Sequence, residues 1–145
     1  MISVAAKLGK ECEQLAGMKT EDVKALVSQD VDIERLKNDP EGVLGQYVKL
    51  TGHVDLKGSK DFPMQNPQGK QDAMVFILEE TAFVMTLENY KDVKHGSMVE
   101  IIGMVSKSRF LKAIGEMYPD QDYPDYVTVI AKDVRVVPEE KSKEI

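Results

Sequence analysis

From Tyr47 onward the chain alternates with a period of two. Val48, Leu50, Val54 and Leu56 fall on one face, and Lys49, Thr51, His53 and Asp55 on the other. Successive side chains of a strand point to opposite sides, so residues 46–56 read as one long strand, apolar within and polar without. Gly52 interrupts the apolar face, and a glycine inside a strand marks a bulge or a sharp bend. The pattern recurs fifty residues later, where Val99-Glu100-Ile101-Ile102-Gly103-Met104-Val105 echoes Val48-Lys49-Leu50-Thr51-Gly52-His53-Val54. Two long strands that bend at glycines are what a small closed barrel requires.

The segments before this strand read as helices. Val4, Leu8, Cys12 and Leu15 recur at steps of three and four, which predicts a helix over 3–17 that stops at Gly17. Thr20 reads as the cap of a second helix, with Glu21 and Asp22 in its first turn. Ile33 and Leu36 mark a third, ended near Asn38 or Asp39 because Pro40 forces the preceding residue out of the helical region. None has an apolar stripe wide enough for a bundle, so the helices must dock on something else.

Four more strands follow, predicted over 73–79, 82–87, 98–107 and 127–137. The second and third are joined tightly through Glu79, Glu80 and Thr81, as in a hairpin. Long segments, 57–72 and 108–126, follow the first and fourth strands. Five strands in this arrangement fit a mainly β, Greek-key OB-type barrel with N-terminal helices packed on it, rather than a sandwich of about seven strands. The expected division is a helical extension over 1–30, the barrel over 31–138 and a charged tail over 139–145.

Three runs carry a family likeness: 33–54 with Pro40, Gly42, Gly45 and Gly52; 94–105 with Gly96 and Gly103; and 127–137. They resemble the entry, fourth strand and last strand of OB-fold domains of the tRNA-anticodon-binding-like group of bacteria and archaea. The resemblance covers about residues 31–137 and implies an OB barrel of a nucleic-acid-binding group. Residues 1–30 lie outside it.

Net charge bears on that implication. The chain carries −6, and a basic footprint is what indiscriminate binding to phosphate backbones needs. Residues 46–70 run against the trend, with four basic and two acidic side chains, so any contact with nucleic acid is expected to be local. Cys12 is the sole cysteine, which excludes an intramolecular disulfide and a thiolate metal cluster; it reads as a small helix residue rather than a reactive thiol. No apolar run reaches the length of a membrane span and the N-terminus lacks the pattern of a signal peptide, so a cytoplasmic location without membrane contact is expected.

No catalytic constellation emerges: phosphate loop, nucleophile elbow and zinc-protease helix are all absent from the sequence. The carboxylates Glu116, Asp120, Asp122 and Asp125 lack the glycine and closing glutamate of a calcium loop. A non-enzymatic module with no cofactor and no metal is therefore expected. OB barrels take ligands on the face of the second and third strands and in the loops beside it. The polar face of the first strand offers Lys49. The loop after it offers Lys57, Lys60 and Phe62, and the segment after the fourth strand offers Lys107, Arg109, Tyr118 and Tyr123. Cations interleaved with flat rings suit single-stranded DNA or RNA, phosphates on the former and bases on the latter. The alternative is a protein partner or self-association through Met74, Phe76, Phe83 and Met85: both faces of strands two and three are apolar, a barrel interior needs only one, and either the N-terminal helices or a partner must cover the other.

Overall fold

The computed structural model describes residues 4–56, 75–88, 90, 92–108, 112, 116 and 126–138. Helices α1 (Val4–Ala16), α2 (Thr20–Leu26) and α3 (Ile33–Asn38) precede a 3-10 turn at Glu41–Val43 and strands β1 (Tyr47–Asp55), β2 (Val75–Leu78), β3 (Ala82–Thr86), β4 (Met98–Val105) and β5 (Val127–Val136). The strands close into a barrel in the order β1-β2-β3-β5-β4. Every pairing is antiparallel except β3 with β5, which run parallel.

The two interior glycines do different work. Strand β1 lies against β4 from Tyr47 to His53 and then passes to β2 at Val54 and Asp55. At this change of partner a Cβ on Gly52 would sit 2.4 Å from Cγ of Glu79, so the glycine leaves room for that side chain and no bulge occurs. Gly103 does sit at a bulge: the β4–β5 register shifts between Ile102 and Gly103, leaving Lys132 as the extra residue on β5. A Cβ on Gly103 would approach the Ile130 carbonyl oxygen to 2.0 Å.

Alternation then sorts the apolar residues into two cores. Val48, Leu50, Val54, Phe76, Leu78, Val84, Ile101 and Val129 fill the barrel, with Leu36 and Val43 from the segment before β1 and Val93 from the β3–β4 connector packed into the same cluster. On the outside, Ile77, Phe83, Met85, Ile102, Met104 and Ile130 meet Leu8, Cys12 and Leu15 of α1 and Val23 of α2. The helices are thus the cover that the doubly apolar β2 and β3 demand.

Polar contacts fix α1 in this position. Glu11 accepts hydrogen bonds from Ser106 Oγ (2.5 Å) and from the Lys107 backbone N–H (2.9 Å). The bulged Lys132 donates its ammonium to the Ala16 carbonyl at 3.2 Å, a cation at the negative end of the helix. One local expectation is corrected. Thr20 is the first residue of α2, and extended Lys19 holds the cap position with no side-chain hydrogen bond. Asp32 does cap α3, accepting from the Arg35 N–H at 2.9 Å.

Candidate functional site

The apolar candidates do not form one surface. Phe76 points into the barrel, while Phe83 and Met85 point out of it and are buried beneath the N-terminal helices. Successive strand residues face opposite ways, and the N-terminal helices, as expected of the fold, supply the cover that the alternative reading assigned to a partner. Met74 lies outside the described residues. Among the described residues the exposed large apolar side chains are Leu26 and Val136, too little for an apolar docking patch.

The helices cover the outer surface of β2 and β3, whereas β1 keeps an exposed polar face. Lys49, Thr51 and His53 are all exposed on its polar face. This strand also spans the points where both long segments depart. At its start, Gly45 donates to the Val105 carbonyl (2.8 Å), and the Lys107 side chain lies over Gly45, its Cε 2.9 Å from where a Cβ would be. At its far end the chain runs on from Leu56 into residues 57–74. Lys57, Lys60 and Phe62 in that segment, and Arg109, Tyr118 and Tyr123 in the other, lie outside the described residues.

His53 is tied to the β2–β3 turn. Glu79 Oε2 accepts from the His53 backbone N–H at 2.7 Å and meets ring Nδ1 at 2.8 Å. The turn is a two-residue hairpin in which Glu79 (φ 49°) and Glu80 (φ 51°) both take the left-handed conformation, closed by Thr81 N–H on the Leu78 carbonyl at 2.9 Å. Glycine or asparagine takes such positions at lower cost, so the bonds from Glu79 to His53 help to hold a strained turn. Partial burial pushes the Glu79 carboxyl up, but the hydrogen bonds and charge of His53 outweigh it and leave the group below its ordinary value.

Beside β1 lies a cleft of about 530 Å³. Its floor is the outer surface of β1, β4 and β5, where Lys49 lies across from Ile102 and Glu100 pairs in register with Arg135. Its wall is the connector from α2 to α3. Val27 bridges to Tyr47, Ser28 donates to the Tyr47 carbonyl at 2.9 Å, and Val31 is buried in the barrel cluster. Glu100 accepts from Arg135 Nη2 at 2.7 Å and lies 3.9 Å from the Lys49 ammonium. Of these residues only Lys49 stands out in the sequence as a candidate. Glu100 and Arg135 are visible there as charges at outward positions of apolar strands, but their meeting depends on a register that the β5 bulge shifts.

Elsewhere the chemistry is muted. Burial, reinforced by Glu11 and Glu13, pushes the Cys12 thiol up to about 12, so it is a packing residue. Among the described residues no group of three or more His, Cys, Asp and Glu side chains is placed to hold a metal ion.

The strand order, closed by the parallel β3–β5 pairing, decides the architecture. The chain is an OB-type barrel. Several solved structures are similar to the chain at low identity. They include the S. pombe Stn1-Ten1 complex (12% identity, TM-score 0.40, covering 81% of this chain and 88% of that one). The telomere capping protein Ten1 from Saccharomyces pombe is 13% identical, with a TM-score of 0.37 over 79% of this chain and 85% of that one. A putative aspartyl-tRNA synthetase from Leishmania major Friedlin is 14% identical, with a TM-score of 0.45 over 83% of this OB barrel's chain but 25% of the synthetase. No family model matches the chain, and no curated protein does.

Proposed function

We propose that this OB barrel is a non-enzymatic binding module for single-stranded nucleic acid, engaged along the polar face of β1 and by the long segments at its two ends. The carrying observation is the course of β1, which sets exposed Lys49, Thr51 and His53 between Lys107 at one end and the start of residues 57–74 at the other. The helices occupy the outer surface of β2 and β3, so a strand would follow β1 instead. Cations on this line meet phosphates, and Phe62, Tyr118 and Tyr123 supply the rings on which bases stack. The histidine–carboxylate pair here secures a turn, which favours a binding role over catalysis. A cytoplasmic setting fits the reading.

Fluorescence anisotropy with labelled single-stranded DNA and RNA, at two salt concentrations, tests it. Binding should weaken as salt rises, and Lys49→Ala and Lys107→Ala should each flatten the salt dependence by about one counterion. Replacing Phe62, Tyr118 and Tyr123 by alanine should weaken it further, each stacked base contributing about 1–3 kcal/mol. No binding at low salt, or binding indifferent to these changes, overturns the proposal.

A further inference from the structure

The cleft between the α2–α3 connector and the barrel is lined by three cations and two carboxylates, a surplus of one positive charge. Lys24, Lys49 and Arg135 line it against Asp32 and Glu100. Asp32 is occupied in capping α3, its Oδ1 accepting the Arg35 N–H at 2.9 Å. Nearby Asp30 is taken by the Arg35 guanidinium at 2.7 Å. Glu100 is shared by Arg135 and Lys49. Lys24 has no carboxylate within ion-pair distance among the described residues.

We infer that this cleft binds a phosphate group. Glu100, whose side chain is 20% exposed, accepts from Nη2 of the Arg135 guanidinium, and Arg135, 65% exposed, lines the cleft. With one nitrogen engaged by Glu100, the guanidinium keeps further N–H donors for phosphate oxygens, and Lys24 and Lys49 add point charges that need no fixed geometry. Ser28 and Gln29 on the connector bring uncharged hydrogen-bonding groups. Val27, half-buried on the connector, gives a small apolar surface beside these groups. The volume suits a small organic ligand such as a mononucleotide. The wall is built rather than loose, anchored at Val27 on β1 and at Val31 in the barrel cluster.

The phosphate can come from a free phosphate ester or from a nucleic-acid backbone, and two titrations separate the sources. Inorganic phosphate, AMP and adenosine are titrated into the full 15N-labelled chain, followed by amide shifts. Phosphate and AMP should shift the amides of residues 24–32, 49, 100–102 and 135, AMP with a Kd of about 1 mM or tighter, and adenosine should not. Arg135→Gln also unpairs Glu100, so Lys24→Ala is the cleaner variant. Each should weaken AMP about tenfold, Lys24→Ala with an unchanged melting curve. In the second titration, a single-stranded oligonucleotide that shifts the same amides and is weakened by Lys24→Ala identifies a backbone phosphate. An oligonucleotide that leaves them unshifted, while AMP shifts them, identifies a free ester and leaves the reading along β1 to stand or fall separately. Cleft amides unmoved by phosphate and AMP, or AMP affinity unchanged in Lys24→Ala, overturns the inference.

Discussion

Replacing Gly52 by alanine tests whether this glycine is present for the sake of one neighbouring side chain. In a regular strand the change would be favourable by about 0.5–1 kcal/mol, since glycine has more freedom to lose on folding. Here the new Cβ would lie 2.4 Å from Cγ of Glu79 and 3.2 Å from Cγ of Leu78. The accessible relief is for the Glu79 side chain to swing away, forfeiting its bonds to the His53 N–H and ring. Hydrogen bonds to charged groups contribute about 1.5–3 kcal/mol, and Glu79 belongs at the low end because its side chain is 37% exposed. Crowding of Leu78 adds about 1 kcal/mol, for a net loss of about 1–2 kcal/mol. At this chain length that lowers Tm by about 3–6 °C.

A double-mutant cycle isolates the cause. With Glu79→Ala already made, the obstacle is gone and Gly52→Ala should be close to neutral, giving a coupling of about 1–1.5 kcal/mol by urea denaturation. Gly103→Ala provides the contrast. Its Cβ would meet the Ile130 backbone carbonyl, which cannot swing aside, so a loss of about 3 kcal/mol or more is expected in either background. Additivity of Gly52→Ala and Glu79→Ala within about 0.5 kcal/mol would refute the account of Gly52.

Three further outcomes are expected. Glu79 has a lowered carboxyl in the folded state, so its stabilising contribution is complete above its ordinary value of 4.5 and is lost as pH falls through the folded value; acid denaturation of Glu79→Gln should lack that component. Burial, with the charges of Glu88 and Asp133, pushes the Tyr90 hydroxyl up to about 12. The folded state therefore keeps a proton that the unfolded chain sheds near 10, so stability falls between pH 10 and 12, and the ultraviolet difference between wild type and Tyr90→Phe should titrate near 12. Cys12 should resist a thiol reagent in the native protein and react at once in denaturant; fast native labelling would contradict its burial.

The barrel was legible because its evidence is local. Alternation in β1 and β4, the proline and glycines before β1, and the tight 79–81 connection each act within a few residues, and all five strands form where that pattern lies. Relations between strands were less legible. Gly52 and Gly103 occur in matching contexts, yet one clears space for a glutamate and the other sits at a bulge; the difference lies in what crosses them. Sequence showed that β2 and β3 are apolar on both faces and that the N-terminal helices pack on the barrel, but not that Phe76 and Phe83 would face opposite ways. The cleft depends on Glu100 meeting Arg135 across a shifted register and on a connector pinned to Tyr47, and neither relation has a sequence signature.

The cover over β2 and β3 has a consequence for where this protein can be cut. A truncation at residue 31, where the barrel pattern begins, would remove Leu8, Cys12, Leu15 and Val23 and leave Ile77, Phe83, Met85, Ile102, Met104 and Ile130 facing water. It would also release Ser106 and the Lys107 N–H from Glu11, at the root of the segment that follows β4. The five-stranded barrel is therefore a smaller unit than the one this chain must fold.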